Sequence, residues 1–445
     1  MIEICAVGGY NEVGKNMTAI KVDNEVVILD MGLYLDKYIS CRGEDDTNRL
    51  SVAELIRAGA VPDDTVIKEW RAQVKAIIPT HAHLDHVGAV PFMSNHYNAP
   101  IIGTPYTTEV INAILRDEKI SLKNRIKTVN PNSRFQLSKN IEIEFINVTH
   151  STPQTVMVAV HTKYGTILYA NDYKFDSFPI IGKKTNMKRL KELGKEGKVL
   201  ALILDGTRAK SESKTPSETV AREMLKDVLL GTENSRNLII VSTFSSHIAR
   251  LKSIIELGKK LNRKIMFVGR SLSKYVGAAE KIKIVNFSRT VQMLKYGKDV
   301  RRAFNKINSA PDRGKYMLVV TGHQGEPNSV LSKIASGDLP LKLHYEDQVI
   351  FSCNVIPTPM NAANREVLEE KLRESNVRIF KDLHVSGHAS KEDHRDLINL
   401  VKPKHIIPAH GDILMTSALS ELAVEMGYTP GVSVHVMQNG QKIFF

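Results

Sequence analysis

At 445 residues, against a prior of roughly 150 residues per domain, the chain is long enough for two or three domain-sized masses and a substantial buried core. With 42% hydrophobic and 24% charged residues, and no apolar run near the roughly 20 residues a bilayer needs, it reads as neither disordered nor membrane-spanning. Lys and Arg total 61 against 48 Asp and Glu, and this balance of +13 favours a polyanionic partner, nucleic acid ahead of an anionic membrane surface. The opening Met1-Ile2-Glu3-Ile4-Cys5 has no cationic segment followed by a long apolar one, so no secretory signal is expected and the cytoplasm is the default compartment. Cys5, Cys41 and Cys353 are odd in number and scattered, which suits neither a disulfide framework nor a thiolate zinc site.

In chain order, the β-branched runs over 2–7, 18–22 and 26–30, punctuated by Gly and Asn, predict consecutive strands. Residues 75–79 predict a further strand running into a His-rich loop, and 87–93 predict the start of a helix despite Gly88 and Pro91. Three runs, 141–145, 155–160 and 166–170, predict adjacent strands joined by short polar loops. After Asp205 the pattern changes: a strand over 237–242, a helix over 248–261 and a strand over 264–269 predict a βαβ unit with a parallel sheet. Strands return at 316–320 and 348–352, and a helix is expected over 363–374.

The loop Thr80-His81-Ala82-His83-Leu84-Asp85-His86 places three imidazoles and a carboxylate within six residues at a strand end. Neutral imidazole and carboxylate suit divalent zinc or manganese, and alternation along an extended loop lets His81 and His83 face one ion while Asp85 and His86 face another. Two ions need further ligands, and His150, Asp172 and His410 stand at candidate strand ends, after residues 146–149, 168–171 and 405–409. Taken singly, each of these three is as well explained by a hydrogen-bonded or turn-capping role.

With the HxHxDH loop present, the set resembles the metallo-β-lactamase superfamily, whose ordered motifs are an Asp, HxHxDH, a His, a bridging Asp and a late His. The resemblance implies that Asp30 orients a ligand without binding metal itself. It also implies that His81, His83 and His150 hold one ion, that Asp85, His86 and His410 hold the other, and that Asp172 lies between them. Two such ions acidify water and neutralise charge on a phosphate or carbonyl, so hydrolysis is expected, while lactam, thioester and phosphodiester substrates remain open at this point.

The long interval between Asp172 and His410 calls for an inserted domain. The segments Leu202-Ile203-Leu204-Asp205 and Val385-Ser386-Gly387-His388-Ala389-Ser390 resemble the acidic motif A and histidine motif B of the β-CASP nucleases, which narrows the substrate to nucleic acid. Together with Gly8-Gly9-Tyr10-Asn11-Glu12-Val13-Gly14-Lys15-Asn16, Ser242-Thr243-Phe244-Ser245-Ser246-His247, Gly269-Arg270-Ser271 and Thr321-Gly322-His323-Gln324-Gly325-Glu326-Pro327, they resemble the ribonuclease J family. The chain ends soon after His410, which resembles the archaeal members. The expected fold class is α/β: a metallo-β-lactamase αββα sandwich, 1–205 and 356–445, interrupted by an α/β β-CASP domain over 206–355.

By the same resemblance the expected activity is 5′-to-3′ exonucleolytic degradation of single-stranded RNA from a 5′-monophosphate, by two-metal phosphodiester hydrolysis. The alternative is an endonuclease of the same class acting on internal RNA sites or on DNA. Asp85, His388 and Asp205 are the expected catalytic residues, with His388 as donor near the scissile phosphate and Asp205 orienting it. Ser245, Ser246, His247, Arg270, Gly387, Ala389 and Ser390 are the expected RNA and 5′-phosphate contacts. The expected cofactors are two divalent ions, Zn²⁺ with Mn²⁺ or Mg²⁺ as alternatives, and the expected assembly is a homodimer with no membrane partner.

Overall fold

The β-branched runs at the start of the chain form the antiparallel strands Ile2–Gly8, Met17–Val22 and Glu25–Leu29 in a computed structural model that describes residues 1–42, 50–295, 297–356 and 358–445. Val74–Ile78 joins Glu25–Leu29 in parallel and continues through Ile101–Gly103 to Ile126–Thr128. At the other edge Lys442–Phe444 pairs antiparallel with Ile2–Gly8, a three-residue strand too short to be read from the sequence. A second sheet runs in the order His405–Ala409, Val199–Asp205, Gly165–Ala170, Val156–Thr162, Glu142–Asn147 and Arg134–Gln136. Its first three strands are mutually parallel and the rest antiparallel.

The two sheets share one core. Ile4, Ile20, Val27 and Ile78 of the first pack with Phe145, Val158, Ile167 and Ile203 of the second. Each such fully buried side chain stabilises the fold by roughly 1.5–3 kcal/mol before entropy is counted. The far face of the second sheet is covered by Leu190 and Leu193 of the helix Met187–Glu196, Leu397 and Ile398 of Lys391–Val401, and Leu419 and Leu422 of Ile413–Glu425. The helix Pro105–Glu118 packs on Ile101–Gly103 and Ile126–Thr128. This is the αββα sandwich.

The helix expected over 87–93 is instead two short turns, Leu84–Val87 and Val90–Met93. Pro91 has no N–H to donate back to Val87, and its ring would crowd that carbonyl, so one continuous helix cannot cross this point. The first turn begins inside the HxHxDH loop, with His83 at its N-cap position.

By packing, the residues divide into a unit of Met1–Ser177, Lys183–Thr215 and Gly387–Phe445 and a unit of Phe178–Gly182 and Pro216–Ser386. The smaller unit holds an all-parallel sheet ordered Val291–Leu294, Lys264–Val268, Tyr316–Val320, Ile239–Ser242, Gln348–Phe351 and Arg378–Phe380. The βαβ elements are present, with the helix Ile248–Lys260 linking Ile239–Ser242 to Lys264–Val268, but Tyr316–Val320 lies between those two strands. Residues 206–215 pack with the sandwich, whereas 356–386 pack with the parallel sheet, because Arg378–Phe380 adds to its edge and Leu368 and Leu372 of the helix Pro359–Glu374 fill its core. Among the described residues no helix is long and apolar enough to cross a membrane.

Candidate active site

The site is assembled from strand ends. Asp30 follows Glu25–Leu29, the HxHxDH loop follows Val74–Ile78, Asp172 follows Gly165–Ala170, Asp205 ends Val199–Asp205, and His410 follows His405–Ala409. Asp30, Asp172 and His410 all have left-handed backbone, with φ of 59°, 25° and 51°, and all three are buried. Such a conformation is unfavourable for a side-chain-bearing residue and persists only where the surroundings over-determine it. Gly32 lets the HxHxDH loop lie against this framework, since a Cβ there would fall 1.6 Å from the Asp85 carbonyl oxygen.

The hydrogen bonds fix which ring nitrogens donate and which way each ring faces. Asp30 accepts from the Thr80 backbone N–H (2.7 Å) and hydroxyl (3.0 Å) through Oδ1, and from His86 Nδ1 (2.8 Å) through Oδ2. Having donated to Asp30, the Thr80 hydroxyl accepts from His81 Nδ1 at 3.0 Å. The Gly387 carbonyl accepts from His150 Nδ1 at 2.7 Å. His81, His86 and His150 therefore carry a proton on Nδ1 and turn Nε2 to the interior. His83 Nδ1 lies 3.1 Å from both His81 Nε2 and His150 Nε2, and Asp172 Oδ2 lies 3.4 Å from each of those two nitrogens.

A second group meets at Asp172 Oδ1, which lies 3.3 Å from both His86 Nε2 and His410 Nε2. Asp85 Oδ2 stands 3.5 Å from His86 Nε2 and 3.6 Å from His410 Nε2. Asp172 Oδ1 and His410 Nε2 are buried without a hydrogen-bond partner. Lone pairs this close repel unless a cation stands among them, so two clusters, His81, His83, His150, Asp172 and Asp85, His86, His410, fit divalent ions. Burial holds the pKa of His81, and far more those of His83 and His150, below the usual imidazole range, which keeps them neutral as ligands must be. Burial would also lower His86, but the carboxylates of Asp172, Asp30 and Asp85 hold it well above that range. Asp85 and Asp172, which burial would raise, are held low by the histidines around them. The cluster is thus in need of positive charge.

Beside it, His388 donates Nδ1–H to buried Asp205 Oδ2 at 2.8 Å, with Asp172 Oδ2 at 3.8 Å. Burial opposes the charged ring, but Asp205 and Asp172 outweigh it and raise the pKa to about 9. The Thr207 N–H occupies Asp205 Oδ1 at 2.9 Å, which orients the carboxylate. His388 is 25% exposed, so its ring is held by Asp205 on one side and reaches the surface on the other.

Of the expected phosphate contacts, Gly387, Ala389 and Ser390 flank His388 in the larger unit, while Ser245, Ser246, His247 and Arg270 lie in the smaller one. Ser390 is buried, its N–H donating to Asp393 Oδ2 (3.1 Å) and its Oγ 2.9 Å from Thr215 Oγ1. Arg208 Nε donates to Ser390 Oγ at 3.3 Å. Ser245 is half-buried, Ser246 buried and Arg270 exposed at the start of the helix Arg270–Lys281. His247 caps Ile248–Lys260, its Nδ1 accepting from the Arg250 N–H (3.3 Å), with Glu218 3.3 Å from its Nε2. The sequence reading assigned no role to Asn16 and Thr80, which lie inside motifs it quoted, or to Arg208. Thr80 adjoins the His-rich loop, but no local pattern marks the partners of Asn16 or Arg208.

Models of known families match along the chain: the metallo-β-lactamase superfamily over residues 55–213, the ribonuclease J β-CASP domain over 236–369 and a Zn-dependent metallo-hydrolase RNA specificity domain over 376–437. The chain is 45% identical to ribonuclease J of Methanocaldococcus jannaschii, covering 100% of this chain and 99% of that one. It is 44% identical to ribonuclease J of Pyrococcus abyssi, covering 100% and 97%. A crystal structure of a protein of unknown function from Enterococcus faecalis superposes with a TM-score of 0.66 at 16% identity, covering 99% of each chain, a likeness of fold. The chain belongs to the ribonuclease J family of β-CASP nucleases and is a metal-dependent ribonuclease.

Proposed function

We propose that this ribonuclease is a 5′-to-3′ exonuclease acting on RNA with a 5′-monophosphate, and that it works as a cytoplasmic homodimer. The observation that carries a hydrolytic site is the convergence of the Nε2 atoms of His81, His86, His150 and His410 on the Asp172 carboxylate, 3.3–3.4 Å away. His81, His83, His150 and Asp172 would hold one ion and Asp85, His86, His410 and Asp172 the other, Zn²⁺ first and Mn²⁺ or Mg²⁺ as alternatives. When bound, such ions acidify water and neutralise charge on the scissile phosphate.

The remaining chemistry is this chain's own. His388 holds a proton that it gives to the phosphate or the leaving oxygen as charge develops there, and Asp205 fixes the ring so that Nε2 faces outward. Arg208 supports recognition of a terminal phosphate. Its guanidinium sits on Ser390 and Ser211 (3.3 Å each) and makes no ion pair with a described carboxylate, so a neighbouring anion would meet an uncompensated charge. The +13 balance suits a polyphosphate strand, with salt-sensitive affinity.

The test compares 5′-monophosphate, 5′-triphosphate and circular forms of one internally labelled RNA, using wild type and Asp85→Ala with added Zn²⁺ or Mn²⁺. Mononucleotide release from the monophosphate form alone, absent in the variant, supports the proposal. Cleavage of the circle establishes internal entry and overturns the requirement for an end.

A further inference from the structure

Asn16 ends the loop between Ile2–Gly8 and Met17–Val22 and is 1% exposed. Its backbone is held on both sides, its N–H donating to the Asp85 carbonyl (3.0 Å) and its carbonyl accepting from the Gly32 N–H (3.0 Å). Its carboxamide has a single chemically consistent orientation. Nδ2 lies 3.1 Å from the Asp85 carbonyl oxygen, which only accepts, so the amide nitrogen must be there and the amide oxygen on the other side. That oxygen lies 2.8 Å from His410 Nδ1 and also accepts from Asn171 Nδ2 at 3.3 Å. An amide oxygen only accepts, so His410 carries its proton on Nδ1 and its lone pair on Nε2, the buried atom without a partner beside Asp172 and Asp85.

One side chain therefore touches three segments of a single subsite. It reaches the ring of His410, the backbone of Asp85 with the ring of His86 (Nδ2 to Nε2, 3.2 Å), and the residue preceding Asp172. The other subsite is braced differently: His81 by Thr80, and His150 by the Gly387 carbonyl. We propose that Asn16 is a positioning residue that selectively builds the Asp85, His86 and His410 subsite, by setting the tautomer of His410 and fixing the loop that carries Asp85. This rests on the ligand assignment above. An outer partner of a metal-bound histidine typically accounts for 10–100-fold in metal affinity.

Asn16→Ala removes both arms, and Asn16→Asp keeps an acceptor for His410 Nδ1 while losing the donor to Asp85. Metal content after dialysis against a weak chelator and Zn²⁺ titration of the metal-free protein are measured for wild type and both variants. The expected result is two ions per chain in wild type, a 10–100-fold loss of affinity at one site alone in Asn16→Ala, and a smaller loss in Asn16→Asp. Long-range ¹H–¹⁵N histidine spectra of the metal-free proteins read the tautomer directly: His410 is protonated at Nδ1 in wild type and shifts toward Nε2–H in Asn16→Ala. Thermal unfolding of the metal-free forms separates these effects from misfolding. Wild-type affinity at both sites in a folded Asn16→Ala, or an unchanged His410 tautomer, overturns the proposal. A wild type that binds no second ion overturns the ligand assignment, while the tautomer spectra still judge Asn16.

Discussion

Replacing Asp205 by Asn tests whether the charge on His388 is used in the reaction. The Thr207 N–H lies 2.9 Å from Oδ1 and requires an acceptor, so the Asn oxygen takes that side and the Asn NH₂ faces His388 Nδ1. A donor in place of a carboxylate forces Nδ1 to carry a lone pair, and the ring loses its largest source of raised basicity. The pKa of His388 then falls from about 9 toward the ordinary 6.5. At pH 8 the protonated fraction drops from about 90% to about 3%, roughly 30-fold, and loss of a well-placed acid costs roughly 10²–10⁴-fold in rate. Cations bound at the neighbouring clusters would lower both values, which moves the pH at which the fall is seen and keeps its direction. Single-turnover cleavage of 5′-monophosphate RNA measured from pH 6 to 10 should show the alkaline fall of the rate moving to lower pH in Asp205→Asn, with RNA affinity unchanged. A variant whose pH–rate profile overlays that of wild type would refute the assignment of His388 as a cationic donor. A uniform loss at every pH would instead make Asp205 a purely geometric support.

Asp30→Asn leaves an amide to serve three donors, the Thr80 N–H, the Thr80 hydroxyl and His86 Nδ1–H, so at least one is stranded. The expected cost is about 1–3 kcal/mol by urea unfolding together with weaker binding at both metal clusters, and an unchanged metal titration would count against it. Glu144, which burial would raise, is held at about 2 by His161 and Arg189, so its contribution is full above its ordinary 4.5 and is lost as pH falls from there toward 2. Glu144→Gln should flatten that acid limb, removing at most about 3 kcal/mol at neutral pH, as read from unfolding free energies at pH 3 and 7. Chelation should destabilise the metal-bearing unit by about 4 kcal/mol for an ion present at a thousand times its Kd, reversibly on re-addition. A melting curve that ignores both chelator and Zn²⁺ would argue against bound ions.

The parts of this site that were legible in the sequence are those whose chemistry is concentrated locally. His81, His83, Asp85 and His86 stand within six residues, and that density has no ordinary structural explanation. His150, Asp172 and His410 became readable only as a set, since each alone looks like any polar residue after a strand. Asn16 was legible only as the end of a motif and Arg208 not at all, because what each contacts is far along the chain: His410 for one and Ser390 for the other. His247 was marked by its motif, and its ring caps its own helix and faces Glu218. In the fold, strands with β-branched runs were found at nearly their observed bounds. The strand order was not, because it is set by packing across the sheet, as with Tyr316–Val320 between two strands that precede it in the chain.

Strand order also explains why residues so distant in sequence form one site and where a second unit could be added. His405–Ala409, Val199–Asp205 and Gly165–Ala170 are adjacent and parallel, with Asp205 opposite Ala409 and Leu204 opposite Ala170. Their carboxyl ends therefore lie side by side, and His410, Asp205 and Asp172 meet there whatever the length of chain between them. Parallel neighbours cannot be joined by a tight turn: the connection from Asp205 to His405 must leave one end of the sheet and return to the other. The chain uses that obligatory crossover to carry the whole of Pro216–Ser386, and it re-enters the sandwich through Gly387 and His388. The insertion thus interrupts no strand of the sandwich and breaks no ladder. Its return delivers two groups to the site: the carbonyl that accepts from His150 Nδ1, and the imidazole that donates to Asp205.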